Sequence, residues 1–436
     1  MSTSIGERLN KTASFKLREK KTFYEKLFYS ALKGCKNGSM KVYYPESGEY
    51  AILGNGNEVN GSIEVVNPKF FRYTILYGEI GFAEAYIHGY YKTNDLFSTL
   101  AWFLDNQDKA PTFSSQATRA TLVNVLSIFN KIEHWLRPNS KAIARKNIAA
   151  HYDLSNEFFE LMLDETMTYS SGVFLKGEDS LKDSQENKYR LLAEKINLNA
   201  NDHLLEIGSG WGGNAIFCAK NYGCKVTTVT ISQQQFNYAK KRIEEEGLTD
   251  KIDLQLKDYR DIEGQYDKIV SIEMVEALGY KYFDTYFKKV ASLLKPGGMM
   301  SFQAITFPDP HFKRYLKNVD FTQKHIFPGS LLLSLKEVLA SLDRTSDLMV
   351  YDVESIGLHY AKTLKLWQDN VEKNWSEMSK LGFDDEFYRK WIYYLVYCEV
   401  GFQRRYINDV QIVLSRPANG NLTNFHSLES KFDFAL

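Results

Sequence analysis

The tightest constraint on this chain is one short stretch, Leu204-Leu205-Glu206-Ile207-Gly208-Ser209-Gly210-Trp211-Gly212-Gly213. An apolar run leads into it, and Asn214 to Lys220 leads out with helical spacing. The pattern reads as a buried strand, a glycine-rich turn and the start of a helix. Glycine admits a ligand close to the backbone, where a Cβ would intrude. The helix N-terminus behind the turn offers free N–H groups. A phosphate-gripping loop is excluded, because no Gly-Lys-Ser/Thr follows the glycines.

The chain around this turn alternates strand and helix. Strands are predicted at 203–208, 225–231, 252–257, 267–273 and 299–305, with helices at 214–221, 232–246 and 280–294. That spacing builds βαβ units and a parallel sheet. Two later strands, 348–354 and 410–415, complete it, the last one antiparallel. The expected fold is therefore α/β: a doubly wound, mostly parallel seven-stranded sheet with an antiparallel last strand, joined to a small N-terminal α+β domain. An insert is expected at 307–346, and helices at 361–382 and 384–405.

The N-terminal domain is placed at residues 1–130 and the sheet domain at 131–436. Residues 1–38 are rich in Lys and Arg, with Phe23, Leu27, Phe28 and Ala31 at helical spacing. This basic amphipathic helix either packs on its own domain or docks on an anionic bilayer. Residues 40–76 read as strands, and Gly78 to Tyr91 and Asn94 to Asp105 as helices. Residues 106–142, with Pro111 and Pro138, read as a helical linker.

Lys plus Arg equals Asp plus Glu at 54 each, so net charge gives no argument for nucleic acid. The four cysteines have no metal-ligand spacing, and no signal peptide or membrane-spanning run is read, so a cytoplasmic protein with reduced thiols is expected. Aromatic residues make up 14% of the chain, which suits either large aromatic cores or a long apolar tunnel.

In a doubly wound sheet, ligands sit beyond the carboxyl ends of the strands. That rule selects Glu206 and Gly208, then Thr230, Ile231, Ser232, Gln233, Gln234 and Gln235, then Asp258, Tyr259 and Arg260. It goes on to Glu273, Met274 and Glu276, and to Gln303, Ala304 and Ile305. The E-x-G-x-G-x-G turn suits S-adenosylmethionine, which has no phosphates and needs close contact more than a phosphate cradle. Glu276 stands in Met274-Val275-Glu276-Ala277-Leu278-Gly279, an apolar setting where a carboxylate is costly unless paired or hydrogen-bonded.

With these stretches in view, the chain resembles the cyclopropane-fatty-acyl-phospholipid synthases, a family that includes the mycolic acid cyclopropane synthases. The matching segments are Gly78–Tyr86, His151–Phe174, Leu204–Gly213, Met274–Gly279, Leu294–Gly298, Gln303–Thr306, Ile326–Gly329 and Val410–Pro417. His359-Tyr360-Ala361-Lys362-Thr363-Leu364 matches the family's H-Y-x-x-T-L. The resemblance implies methyl transfer from S-adenosylmethionine to the double bond of an unsaturated phospholipid acyl chain. A carbocation follows, and a bound bicarbonate assists removal of its proton. Carried over by motif, the bicarbonate pocket falls on Ser171, Glu276, Gln303, Ile305 and Tyr360. The cofactor site falls on Tyr169, Ser170, Leu204, Leu205, Glu206, Ile207, Gly208, Ser209, Gly210, Trp211 and Gly212, with Thr230 to Gln235, Tyr259 and Arg260.

Three positions depart from the common pattern. Ser171 stands where many relatives have Cys, and Ala277 and Gln303 where many have His. An intact anion pocket is still expected, but ring closure and simple methyl branching both stay open. The expected setting is the inner face of a membrane, with the N-terminal domain orienting the catalytic domain on lipid, as a monomer or a homodimer. Lys11, Lys16, Arg18, Lys20 and Lys21 are the lipid-facing candidates. Two competing readings are an O- or N-methyltransferase with an open polar pocket and a non-catalytic lipid-binding protein.

Overall fold

A computed structural model of the chain describes residues 16–19, 21–54, 59–108 and 154–422. The chain divides into two compact units. The first holds the N-terminal region together with Lys313–Ile326 and Val371–Arg404; the second holds Arg137–Phe312, Phe327–Asn370 and Arg405–Leu436.

In the first unit, β1 (Lys16–Leu17), β2 (Ser39–Tyr44), β3 (Glu49–Gly54), β4 (Val59–Val65) and β5 (Tyr91–Lys92) form a sheet in the order β1-β3-β2-β4-β5. The basic amphipathic segment is the helix Phe23–Leu32, started by a capping box between Thr22 and Glu25. Its apolar face packs within the unit: Phe28 lies 5.4 and 5.3 Å from the rings of Phe70 and Phe71. Arg18 is engaged by Glu25 and Glu49 at 2.9 and 2.6 Å. Lys11, Lys20, the Lys16 side chain, the 109–142 part of the linker and His151–Asp153 lie outside the described residues.

The strand reading of 40–76 is too long, because a helix begins at Lys69. Phe70, Phe71, Thr74 and Ile75 are buried on one side of it, which is the helical period rather than the strand period. That helix runs to Ile87 and kinks at Gly78, where φ is 61°. The two late segments that join this unit were not foreseen from chain order. They include the helix Asp385–Gln403, whose Tyr393 and Tyr397 meet Tyr86 and Glu79.

The second unit is built on β6 (His203–Ile207), β7 (Lys225–Thr230), β8 (Ile252–Leu256), β9 (Tyr266–Ile272), β10 (Leu294–Thr306), β11 (Met349–Ser355) and β12 (Asn408–Ser415). Their order is β11-β12-β10-β9-β6-β7-β8. The pairs β6–β7, β7–β8, β6–β9 and β9–β10 are parallel, and β12 runs antiparallel to both β10 and β11. This is the expected sheet, each strand falling close to its predicted place. β7 shows why: its Val-Thr-Thr-Val-Thr run is β-branched and buried throughout. The helix Gly213–Tyr222 packs Ala215, Ile216, Cys218 and Ala219 onto Leu204, Val226 and Val270.

The anticipated insert ends in a helix, Leu335–Thr345. Its Ser341 and Arg344 bind Asp284 at 2.7 and 2.8 Å. The helix Leu181–Lys195 places Leu181, Gln185, Lys188, Tyr189 and Leu192 on its buried face. Gln185 and Lys188 are polar, and they matter for the site.

Candidate active site

β6 gives way to the helix Gly213–Tyr222 through three glycines with positive φ: Gly208 at 100°, Gly210 at 49° and Gly212 at 90°. A Cβ on Gly208 would stand 3.1 Å from Met274 Cγ, whereas one on Gly210 would meet nothing within 4 Å. Space is therefore left against the backbone at the carboxyl edge of the sheet, where a ligand of this fold sits. Gly208 and Ser209 donate their N–H groups to the Val229 carbonyl at 3.1 and 2.9 Å, fixing the turn to β7. Gly208, Gly210 and Gly213 also satisfy a G-x-G-x-x-G count. A dinucleotide site would end the second strand in a carboxylate, and β7 ends in Thr230, whose hydroxyl donates to Gln235 at 3.0 Å.

The cofactor-site residues divide by what their side chains do. Leu204, Leu205 and Ile207 are buried in the sheet, so only their backbone can face a ligand. The Glu206 carboxylate is buried and accepts from Asn214 at 2.9 Å and Thr228 at 2.5 Å. Burial pushes its pKa up to about 7. Glu206 thus locks the turn to its helix and to β7. The Trp211 ring lies tilted 4.9 Å from Phe159, and its indole N–H donates to Asn156 at 2.9 Å. Ser232 caps the helix Gln233–Glu245, Gln233 and Gln234 are exposed, and Ile231 is half-buried. Tyr259 lies edge-on to Tyr286, and Arg260 is clamped by Asp258 at 2.8 and 2.7 Å.

Past the end of β9 and alongside the last residues of β10 lies a polar centre. Glu273 follows β9 with φ +47°, the left-handed region that is costly for a residue with a Cβ. Its Oε1 accepts from the Ser171 backbone N–H and from Gln303 Nε2, both at 2.8 Å. Its Oε2 accepts from the Tyr360 hydroxyl at 2.8 Å. Glu276 accepts from the Ile305 N–H at 2.6 Å, and its other oxygen, Oε2, is buried without a hydrogen-bond partner. Burial, then the neighbouring Glu273, raises the Glu276 pKa to about 8.

All five residues expected to hold bicarbonate are thus brought together, but they act on the chain's own carboxylates. Ser171, Gln303 and Tyr360 converge on Glu273, and Ile305 on Glu276. The expected bicarbonate does not fit this arrangement. Its donors are already engaged, and a further anion would meet the Glu273 carboxylate.

Three buried residues complete the centre, and sequence reasoning missed them. Asp409 accepts from Gln303 Nε2 at 3.0 Å. Its pKa is pushed well up by burial first, then by Glu273 and Glu276. Burial also lifts Glu273, but Lys188, the Ser171 N–H, Tyr360 and Gln303 oppose it. A proton shared by the pair therefore rests on Asp409, which has one donor against three for Glu273. Lys188 donates to Ser170 Oγ and Gln185 Oε1, each at 2.5 Å, and burial lowers its pKa to about 8. Gln411 donates to Gln303 at 3.2 Å. The available signals were a lysine on the apolar stripe of a helix and a buried aspartate, second in the strand β12.

An aromatic wall adjoins these groups. Trp367 is fully buried, with ring centroids 5.1 Å from Tyr169 and 6.2 Å from Tyr360. Tyr169 also meets Phe159 at 5.4 Å and Phe327 at 6.2 Å. A separate hollow of about 550 Å³, lined by His203, Lys225 and Ile252 among others, lies at the amino ends of the strands, the wrong edge for this fold's ligand.

The strand order, the open glycine turn and the carboxylate centre define a methyltransferase that uses S-adenosylmethionine. The sequence matches the family model for mycolic acid cyclopropane synthetase over residues 139–412, and the chain belongs to that family. It is 32% identical to the cyclopropane-fatty-acyl-phospholipid synthase of Escherichia coli K12, over 88% of this chain and 97% of that one. It is 34% identical to the tuberculostearic acid methyltransferase UfaA1 of Mycobacterium tuberculosis, over 78% and 79%. The mycolic acid cyclopropane synthase CmaA1 complexed with SAH and CTAB superposes with a TM-score of 0.58 at 30% identity, over 62% of this chain and 97% of that one.

Proposed function

We propose that this enzyme alkylates the double bond of an unsaturated acyl chain on a membrane phospholipid and closes a cyclopropane ring. S-adenosylmethionine supplies the electrophilic methyl group. The chain's own residues do the rest. The open turn at Gly210 seats the cofactor at the sheet edge. An alkene is a weak nucleophile, so it must be held in line at near-attack distance. The wall of Tyr169, Trp367, Tyr360 and Phe327 offers an apolar seat for the acyl chain and π faces for the cation that forms on it. It also excludes water, which would trap that cation as an alcohol. No step is assigned to bicarbonate.

The observation that carries this reading is the placing of an acceptor carboxylate, Glu273, with Tyr360 between it and Trp367. An O- or N-methyltransferase acting on a small polar substrate would call for an open polar pocket instead. A branched product is the second reading, favoured by the match to the tuberculostearic acid methyltransferase over most of its length. The first unit is assigned a lipid-facing role, as a monomer or homodimer, because it exposes Leu17, Phe23, Ile52 and Val59. Among the described residues no helix is long and apolar enough to cross a membrane, which suits a peripheral attachment.

The test is incubation with unsaturated phospholipid vesicles and labelled cofactor, followed by mass spectrometry and proton NMR of the acyl chains. Gain of one CH2 with loss of the alkene signals identifies the ring. Gain of CH2 with new exocyclic vinylidene protons identifies branching. Label that never enters lipid overturns the reading.

A further inference from the structure

Glu273 stands among the donors that an anion pocket would need to keep free. Ser171 N–H, Gln303 Nε2 and Tyr360 OH arrive from three separate parts of the chain, and each ends 2.8 Å from one of its two oxygens. Residue 273 takes φ +47° while its side chain meets these donors. Glycine would adopt this backbone freely, whereas a residue with a Cβ pays roughly 1 kcal/mol for it. Strain of this kind persists where the surrounding structure holds it, and it clusters at functional sites.

We propose that Glu273 takes the place of a bound bicarbonate, and that its carboxylate is the base that removes the proton from the newly transferred methyl. This rests on the alkylation reading above. The alkene π pair forms a C–C bond to the methyl carbon while the bond to sulfur breaks with its electron pair, leaving a cation on the neighbouring chain carbon. Glu273 then takes one proton from that methyl group and becomes a neutral acid. The released C–H pair closes the ring onto the cation, or, after a 1,2-hydride shift, forms an exocyclic double bond. The proton leaves to water once product departs. Asp409, buried and itself hydrogen-bonded through Gln303, holds the neighbouring proton, so Glu273 is the member of the pair free to accept one. Lys188 favours the ionised form of Glu273 and Tyr360 hydrogen-bonds it, so both are positioning residues.

The test uses the full chain. Wild-type turnover on vesicles is measured in carbonate-free buffer with and without added bicarbonate. Separately, the 13C line width of labelled bicarbonate is followed as protein is added, a readout that needs no turnover. The expected result is a turnover change below about threefold and no saturable broadening with the wild type. Glu273→Gly should melt close to wild type, bind S-adenosylmethionine, broaden the labelled bicarbonate line, and turn over about 100-fold more slowly until bicarbonate is added. Glu273→Gln keeps the shape of the side chain and serves if the glycine variant does not fold; its turnover should also fall about 100-fold. Saturable bicarbonate binding by the wild type overturns the proposal. So does a turnover loss of about threefold or more on carbonate removal, or a Glu273→Gln enzyme within about threefold of wild type. If the wild type never methylates lipid, the alkylation reading fails, while the 13C measurement still decides whether Glu273 fills the anion's place.

Discussion

The Tyr360 hydroxyl donates to Glu273 Oε2 at 2.8 Å, and this bond joins the start of the helix Gly357–Lys380 to the end of β9. A hydrogen bond to the ionised form of a carboxylate lowers its pKa, and here it opposes the upward push of burial. Tyr360→Phe removes that donor and leaves the aromatic ring. A hydrogen bond to a charged group contributes about 1.5–3 kcal/mol, so turnover should fall about 10- to 100-fold at neutral pH. Because the lost donor favoured the anion, the Glu273 pKa rises and the acid limb of the pH–rate profile moves to higher pH. Cofactor affinity should hold. A profile that does not move would detach Tyr360 from the Glu273 ionisation.

Lys188 acts on the same carboxylate through its charge. Its ammonium is fully buried and bonded to Ser170 and Gln185, and its charge favours the ionised forms of Glu273 and Asp409. Lys188→Met keeps the volume but removes the positive charge that counters the buried Glu273 carboxylate. Breaking such a buried arrangement costs about 3–5 kcal/mol. Urea unfolding should show that loss, and the acid limb should again rise. Unchanged unfolding would mean that Glu273 is already neutral in the fold.

How far the site was legible depended on what set each position. The seven strands were readable because β-branched and apolar runs recur with helices between them. Ser171, Gln303, Ile305 and Tyr360 came from the family resemblance as holders of a bicarbonate, whereas their hydrogen bonds run to the chain's own carboxylates. Glu273 was visible only as the end of a strand. Its role depends on a left-handed backbone and on three donors distant in sequence, and local pattern carries neither. Asp409 lies 106 positions from Gln303, so nothing adjacent marks their bond. The late segments of the first unit escaped for the same reason: an amphipathic helix such as Asp385–Gln403 shows that it must bury a face, but not against which partner.

Two buried glutamates set a pH dependence of stability. Burial raises Glu206 to about 7 and Glu276 to about 8, whereas an unfolded glutamate titrates near ~4.3. Between that value and the folded pKa, the fold keeps protons that the unfolded chain has lost. Stability is therefore fully present below the unfolded value and declines as pH rises toward 7–8. A tenfold difference in proton affinity between folded and unfolded chain is worth ~1.4 kcal/mol, so the two glutamates together make a decline of several kcal/mol. Glu276→Gln removes one of them, and the slope of unfolding free energy between pH 5 and about 8 should flatten visibly. Identical slopes for the two proteins would show that Glu276 ionises normally.

Gly210 separates cofactor binding from folding. A Cβ there would meet no protein atom within 4 Å, and the φ of 49° is one that alanine can adopt at a cost of about 1 kcal/mol. Gly210→Ala should melt only a few degrees lower. The new methyl would nevertheless stand in the space assigned to the cofactor, so the Kd for S-adenosylmethionine by calorimetry should rise about tenfold or more, equal to ~1.4 kcal/mol. Unchanged affinity would place the cofactor away from this turn.

The aromatic wall makes a prediction about product rather than rate. Trp367 is fully buried between Tyr169, at 5.1 Å, and Tyr360, at 6.2 Å. Trp367→Leu leaves a cavity beside the groups that face the cation, and its polar neighbours can hold water there. A carbocation meeting water gives an alcohol, so a methylated, hydroxylated acyl chain should appear beside the normal product. Mass spectrometry in 18O-labelled water identifies it, because the hydroxyl oxygen must come from solvent. If the variant is slower but makes only the normal product, shelter of the cation is supplied elsewhere, and the role of Trp367 is confined to packing Tyr169 and Tyr360.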